Sequence, residues 1–233
     1  MNVTECVRQR KSIRAFKSDL VPYRTLRELM ESALRAPSWA NTQPWQFAIV
    51  SGCKLEEIRQ EYVKNAEAGV RGNPELAFPQ EYPEPFDSRR RFLGRKIYEL
   101  KGIGRQDVAE RKKWGLQGLK LFEAPCCIYI YIERSFCFQA NGLNLWPIFD
   151  CGLIAENIML LALEYGLGTI PEAAAATYPD VLHRILEIPD TKLIVLGIAI
   201  GYPDWDNIVN KLQSERAPLD NLTRWYGFNP DSD

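Results

Sequence analysis

Five basic side chains lie within ten residues near the start of the chain, and Ser12 interrupts them: Arg8, Arg10, Lys11, Arg14 and Lys17. Runs of like charge usually form a solvated face. Here Ile13 and Phe16 are apolar, so we expect the segment to be anchored while its cations stay accessible. Guanidinium forks and a serine hydroxyl in an anchored turn suit a bound phosphate, and each charge-assisted hydrogen bond would contribute about 1.5–3 kcal/mol. The pattern therefore indicates either a solvated face or a phosphate-binding turn.

Residues 36–45 combine a restricted backbone, flat rings and hydrogen-bonding side chains. Pro37 and Pro44 restrict the backbone, and Trp39 and Trp45 offer planar faces. The polar members are Ser38, Asn41 and Gln43. Each residue alone is typical of a turn, but together they suit the rim of a planar heterocycle.

The chain has one histidine, His183, in a segment expected to form a short helix. A histidine-rich metal site is therefore excluded, and any Ser/His or Cys/His mechanism would have to use that one position. We interpret His183 as a structural or surface residue and expect the chemistry to come from a bound molecule, with no metal.

Composition and cysteine usage favour an ordinary cytoplasmic protein. The 29 basic and 30 acidic side chains leave a net charge of −1, which argues against nucleic acid or an anionic membrane as the main partner. Acidic and basic residues interrupt the amino terminus, so no secretory signal is expected. The cysteines contain no Cys-x-x-Cys pair and are expected to be buried reduced thiols: Cys6, Cys53, Cys126, Cys127, Cys137 and Cys151.

Hydrophobic periodicity and turn residues predict interleaved helices and strands of a single mixed domain. Helices are expected at 4–9, 23–36, 54–69, 89–100, 106–122, 147–165 and 181–186. Strands are expected at 45–50, 126–132 and 193–200. Residues 72–87 contain four prolines and predict an exposed functional loop or lid. The tail from 218 to 233 is too aromatic for exposed coil.

Several motifs together closely resemble the FMN-dependent nitroreductase superfamily, in the same order and over nearly the whole chain. They are Arg10-Lys11-Ser12-Ile13-Arg14-Ala15-Phe16, residues 36–45, Phe122-Glu123-Ala124-Pro125, Gly166-Leu167-Gly168-Thr169, Gly201-Tyr202-Pro203, Arg216-Ala217-Pro218-Leu219 and Trp225. The conjunction is far more specific than any single motif.

The resemblance implies an α+β fold, with a mixed central sheet surrounded by helices, in an intertwined homodimer with FMN at the subunit interface. A single domain would span residues 1–233. Residues 71–122 would form a variable insertion over the active site, and residues 214–233 an extension that embraces the partner subunit.

The resemblance also implies cofactor contacts, position by position. Arg10, Ser12 and Arg14 would contact the ribityl phosphate and pyrimidine edge, with Lys11 beside them. Ser214 and Arg216 would complete the phosphate clamp. The other subunit would contribute Pro37, Ser38 and Asn41, with Gln43 in the same motif. Further flavin contacts would come from Gln117, Ile170, Pro171, Glu172 and Ala173. No side chain would be catalytic, because the flavin N5 carries the hydride, and the backbone N–H of Glu172 would lie near N5.

The implied activity is a ping-pong transfer of hydride from NADH or NADPH to a small electron-poor acceptor such as a nitroaromatic or quinone. Trp39, Arg89, Arg90 and Arg91 are candidate acceptor contacts, and the arginines favour an acidic nitroaromatic. Alternatives are a flavin-fragmenting enzyme, a reductive dehalogenase, a flavin-binding module without turnover and an anion-binding interaction protein. Gly118 counts against the iodotyrosine-deiodinase branch, which has a lysine there.

Overall fold

A four-stranded antiparallel sheet forms the centre of the computed structural model, which describes residues 1–228. Its strands in spatial order are β1 (Gln46–Ser51), β2 (Cys126–Glu133), β6 (Lys192–Gly201) and β5 (Gly168–Glu172). A separate hairpin joins β3 (Phe138–Gln139) to β4 (Gly142–Leu143). Within residues 1–228, the one parallel pairing is a bridge between Ser12 and Thr169. The three predicted strands are confirmed, and β5 was not predicted.

Eight helices surround the sheet in the described part of the chain. They are α1 (Val3–Gln9), α2 (Tyr23–Ala33), α3 (Gly52–Glu67), α4 (Phe86–Leu100), α5 (Val108–Gly115), α6 (Arg134–Cys137), α7 (Trp146–Glu164) and α8 (Pro179–Leu186). The predicted helix over 106–122 is wrong in its second half, because α5 ends at Gly115 and Leu121–Glu123 form a separate 3₁₀ turn. The helix predicted over 23–36 ends three residues early, since the residue before Pro37 disfavours helical backbone.

Hydrophobic cores lie on both faces of the sheet. Leu29 of α2 lies in the core that α7 also lines, and Ile58 of α3 lies in the core shared with α8. Cys126 and Cys127 fall in different cores, because successive strand residues point to opposite faces. Burial of the thiols is confirmed at five positions and wrong at Cys53, which is exposed beside the start of α3.

Helix α7 is long and apolar enough to cross a membrane by length and composition alone. However, Ile154, Ile158 and Ala162 on its inner face are fully buried against the sheet. We therefore interpret it as a core helix, in agreement with the sequence prediction.

The residues after Leu212 leave the core and run over the surface. Trp225, Tyr226 and Phe228 are exposed in the single chain, so their own subunit does not cover them, and their packing on a partner subunit stays a prediction. The last part of the predicted extension, residues 229–233, lies outside the described residues.

Candidate functional site

The basic segment is attached to the edge of the sheet. The N–H of Ile13 donates to Thr169 O at 3.0 Å, and that of Lys17 donates to Tyr202 O at 2.8 Å. Ile13 is only 2% exposed, and a Cβ at Gly168 would lie 2.5 Å from its Cγ1. Glycine at 168 therefore allows the close approach that anchors residues 10–17, here called the basic loop.

Asn210 holds the basic loop from its other side. Its Oδ1 accepts the N–H of Arg14 at 2.8 Å, and its Nδ2 donates to Ala15 O and Asp204 O at 2.7 and 2.8 Å. Asn210 is 1% exposed, so each of these bonds satisfies a group shielded from water. Sequence analysis missed this residue, because no local pattern links it to a segment almost 200 positions earlier.

The cations of the basic loop have few acidic partners. Arg10 lies 3.7 Å from Glu156, while neither Lys11 nor Arg14 has a carboxylate within 4 Å among the described residues. Arg10 and Lys11 line a cavity of about 160 Å³ together with Gly168, Thr169 and Trp205. The loop thus presents positive charge and a serine next to β5, as an anion-binding turn requires.

Arg14 and the buried carboxyl group of Glu172, at the end of β5, are more than 4 Å apart but near enough for their charges to interact. Glu172 is 6% exposed, and its Oε1 has no hydrogen-bond partner among the described residues. Burial raises the pKa of Glu172 from its ordinary 4.5 to about 8, and the charge of Arg14 opposes that rise. Burial also lowers the pKa of Arg14. Glu172 therefore carries a proton near pH 7, and sequence analysis had considered only its backbone.

Gln117 meets this pair from the α5 side. A cavity of about 330 Å³ is lined by both Arg14 and Gln117, together with Trp114 and Phe122. A Cβ at the adjacent Gly118 would lie 3.4 Å from Glu172 Oε2. The structure therefore brings Arg14, Gln117 and Glu172 into one region, and the resemblance implies that all three are flavin contacts.

A strained turn positions Gln117 and Phe122. Leu121, Phe122 and Glu123 have φ values of 54°, 50° and 58°, and left-handed backbone costs such residues about 1–2 kcal/mol each. Arg59 of α3 spans the turn, since its Nε donates to Lys120 O at 2.9 Å and its Nη2 to Ala124 O. Strain of this kind persists only where surrounding contacts enforce it. Sequence analysis also missed Arg59.

A second left-handed turn carries the polar residues of the 36–45 segment. Ala40, Asn41 and Gln43 have φ values of 45°, 58° and 47°. The N–H of Gln43 donates to Ser38 Oγ at 2.9 Å. The N–H of Trp39 donates to both carboxylate oxygens of Asp150 at 3.1 and 3.2 Å. Asp150 interrupts an apolar helix, a signal that could have identified this contact from sequence.

The two motifs do not meet within one chain. The basic loop attaches to β5, whereas the 36–45 segment leads into β1, and these strands are opposite edges of the sheet. Three strand spacings separate the edges by about 14 Å. No hydrogen bond or ion pair joins Pro37, Ser38, Asn41 or Gln43 to the basic loop among residues 1–228. The two segments therefore lie apart within one chain.

The other predicted contacts also lie apart. Arg216 donates from Nη1 to Ser214 Oγ at 2.8 Å and to backbone oxygens of its own segment. Arg90 and Arg91 both pair with Asp87 on their own helix, and Arg89 lies over the Phe86 ring. None of these arginines contacts the basic loop in the described residues.

Comparison with known proteins supports the resemblance inferred from sequence. The model of the nitroreductase family matches residues 7–202. A chloronitrobenzene nitroreductase from Comamonas testosteroni is 27% identical over 228 residues, which are 95% of each chain. The nitroreductase NfnB from Mycolicibacterium smegmatis is 29% identical over 220 residues, covering 94% of this chain and 90% of the relative.

A solved structure agrees in fold. The crystal structure of the FMN- and NADPH-dependent nitroreductase NfnB from sphigopyxis sp. strain HMH superimposes with a TM-score of 0.91 at 30% identity, covering 98% of this chain and all of that one. The α+β prediction is confirmed by this match. On the family match over 7–202 and this shared architecture, the chain belongs to the nitroreductase family.

Proposed function

We propose that this chain uses FMN to oxidise NADPH or NADH and to reduce a nitroaromatic or similarly electron-poor acceptor, the two substrates reacting in turn. The observation that carries this proposal is the anchored basic loop beside the Arg14–Glu172 pair and Gln117. When bound, FMN supplies two-electron chemistry that no side chain of this site offers.

The residues present fit FMN. Arg10, Lys11 and Ser12 would hold the phosphate, because their cationic and hydroxyl groups line the cavity next to β5 or lie beside it. Arg14 and Gln117 would hydrogen-bond the pyrimidine edge from the cavity of about 330 Å³. The unpartnered Glu172 Oε1 is a buried polar atom that a ligand donor would satisfy.

The end of β5 would support the ring system. Ile170, Pro171, Glu172 and Ala173 form the last part of the strand and the turn that follows. In this proposal these residues would lie along the isoalloxazine, and the N–H of Glu172 would be the donor to N5. The side chains bind and orient the cofactor, and Glu172 holds a proton beside it.

A second copy of the chain would complete the site. The cavity of about 160 Å³ at Arg10 and Lys11 is smaller than the 300–1,000 Å³ typical of ligand pockets. The missing wall would come from Pro37, Ser38, Asn41 and Gln43 of the other subunit. Arg216 and Ser214 would join the phosphate clamp when the tail embraces the partner.

Exposed apolar side chains support a homodimer. Trp39 stacks on Trp146, with ring centroids 4.8 Å apart, and Phe149 packs edge-on against Trp146 at 5.8 Å. All three rings are about half exposed in the single chain. Contiguous apolar surface of this kind marks an interface. The exposed Trp225, Tyr226 and Phe228 of the tail would pack on the partner subunit and extend this interface.

The acceptor and the compartment are further parts of the proposal. The relative from Comamonas testosteroni is a chloronitrobenzene nitroreductase, which supports a nitroaromatic acceptor here. Trp39 would offer it a flat face, and Arg89, Arg90 and Arg91 would favour an acidic one. The reduced cysteines are typical of the cytoplasm.

The absorption spectrum of the purified protein tests the proposal. We expect a flavin spectrum that bleaches anaerobically with NADPH or NADH and recovers when nitrobenzene or a quinone is added. Light scattering should give twice the mass of 26.7 kDa. A colourless protein that takes up no FMN would refute the function, and stable FMN without bleaching would indicate a binding module.

A further inference from the structure

A large basic groove lies outside the predicted cofactor contacts. Helix α4, the connection after it and α5 enclose about 1050 Å³. Five of the side chains that line it are arginines, and one is a carboxylate, Glu99. The arginines are Arg90, Arg91, Arg95, Arg105 and Arg111. The groove therefore has a strong positive potential.

Two of these arginines are available to a ligand. Neither Arg105 nor Arg111 has a carboxylate within 4 Å in the part of the chain that the structure describes. Arg111 is held in place, because its Nε donates to Gly104 O at 2.8 Å and its guanidinium lies 4.1 Å from the centre of the Tyr98 ring. The remaining N–H groups of Arg111 can therefore donate to a ligand. The guanidinium of the exposed Arg105 lines the same groove and can donate as well.

The other arginines pair only with acids of their own helix. Arg90 and Arg91 bind Asp87, and Arg95 lies 3.8 Å from Glu99. All three guanidinium groups are more than half exposed, and surface pairs of this kind stabilise a protein only slightly. An anionic ligand can therefore engage these arginines without breaking a strong interaction.

The groove continues into the cavity that contains Arg14 and Gln117. Ile103 lines both spaces, and Lys101, at the end of α4, lines the inner one. From Lys101 to Arg91 the helix rises about 15 Å. A long molecule with one end beside Arg14 and Gln117 would thus extend along α4 into the basic groove.

We propose that this groove binds the adenosine half of NADPH, with the 2′-phosphate held by Arg105 and Arg111. The inference rests on the proposed function, which supplies a nicotinamide co-substrate. A phosphate monoester carries about −1.5 to −2 charges, and arginine forks match its oxygens in paired hydrogen bonds. NADH has a hydroxyl at the same position, so the groove selects NADPH.

Binding of the unreactive oxidised nucleotides tests this selection. Isothermal titration of the FMN-loaded protein should give tighter binding of NADP⁺ than of NAD⁺. The double variant Arg105→Gln/Arg111→Gln should raise the Kd of NADP⁺ at least tenfold, which is about 1.4 kcal/mol. The Kd of NAD⁺ should change less than twofold, and 2′,5′-ADP should follow NADP⁺.

The matched control is Arg24→Gln/Arg27→Gln, which removes the same charge from exposed positions of α2. It should leave the Kd of NADP⁺ unchanged. Equal affinity of the wild type for both nucleotides, an unaffected double variant, or an equal loss in the control would each overturn the inference.

Kinetics separate this inference from the proposed function. If NADH and NADPH reduce the flavin with equal KM in wild type and double variant, the groove has no such role while the function stands. If neither nucleotide bleaches the flavin, the proposed function fails, and the inference fails with it.

Discussion

The basic loop and helix α4 are both rich in arginine, but they are fixed in different ways. The loop is tied to Thr169, Tyr202 and Asn210 by hydrogen bonds from its own backbone, and Lys11 and Arg14 lack a nearby carboxylate in the described residues. The arginines of α4 lie three or four positions from acids on the same helix. The cations of the loop are therefore held in fixed positions, whereas the arginines of α4 can leave their acidic partners at little cost. Substitutions should change stability and ligand binding to different extents in the two regions.

The largest effect is expected at Asn210, which fixes the loop. Asn210→Ala removes three buried hydrogen bonds and should lower the free energy of unfolding by about 2–4 kcal/mol, measured by urea denaturation. FMN affinity should fall with it, because Arg14 loses its backbone anchor. Asn157→Ala, which removes a single bond to Ala33 O, is the control and should cost less than half as much. Equal losses would show that the loop needs no anchor here.

Removing a loop cation should weaken the cofactor site directly. Arg14→Ala should raise the Kd of FMN about 10- to 100-fold, because a charge-assisted contact contributes about 1.5–3 kcal/mol. Arg14→Lys keeps the charge without the fork, so its Kd should be intermediate. Flavin fluorescence quenching measures both values. Full flavin occupancy of Arg14→Ala after dialysis would contradict the assignment of this residue.

Arg59 differs from the arginines of both regions, because it donates hydrogen bonds to backbone carbonyls. Arg59→Met should destabilise the fold by about 1–3 kcal/mol and weaken FMN binding, because the Leu121–Glu123 turn would relax and move Gln117. Arg184→Met is the control, since Arg184 makes an exposed pair with Glu61, and should cost about 0.5 kcal/mol or less. Thermal unfolding gives the melting temperature of each variant. Similar melting temperatures for Arg59→Met and Arg184→Met would show that Arg59 does not support the Leu121–Glu123 turn.

Glu172 should give the site a distinct pH dependence. Its folded pKa of about 8 exceeds its ordinary 4.5, so between these values the native state binds the extra proton and stability falls as pH rises. Glu172→Gln should remove this slope, and its stability relative to wild type should improve by about 1 kcal/mol or more from pH 6 to 8. Urea denaturation at several pH values measures this difference. If the free energy of unfolding changed equally with pH in both proteins, the pKa of Glu172 would not be raised.

The smallest effect is expected on α4. Replacing Arg89, Arg90 and Arg91 with glutamine should change the free energy of unfolding by about 0.5 kcal/mol or less and leave the Kd of FMN within twofold. The KM for 4-nitrobenzoate should rise while that for nitrobenzene stays constant. Unchanged KM values for both acceptors would exclude these arginines from acceptor binding.

Local chemistry in the sequence predicted the basic loop and the helices of the fold, but not their long-range contacts. Ile13 and Phe16 indicated an anchored segment, and the structure confirms the anchor at Ile13. The partners of the loop, Thr169 and Asn210, are too distant in sequence for any periodic pattern to identify. The burial of Glu172 was equally hidden, because it results from three segments that meet only in the folded chain.

Two errors have clear physical causes. β5 contains Pro171, which argues against a central strand, but an edge strand tolerates a proline because one side of its backbone needs no partner. The helix predicted over 106–122 has helical spacing, but α5 ends at Gly115, and three consecutive left-handed residues without a glycine, Leu121–Glu123, lie at the predicted end. Arg59 stabilises that turn from another helix, and no propensity could anticipate it.

The hydrogen bonds between Asn210 and the basic loop also determine when the site forms during synthesis. They join residues 195 and 196 positions apart, and contacts of such separation form late because a long loop must close first. The basic loop leaves the ribosome early, but it must wait for nearly the whole chain before its cations are held in place. If the basic loop binds FMN as proposed, a chain that ends before Asn210 should not retain the cofactor.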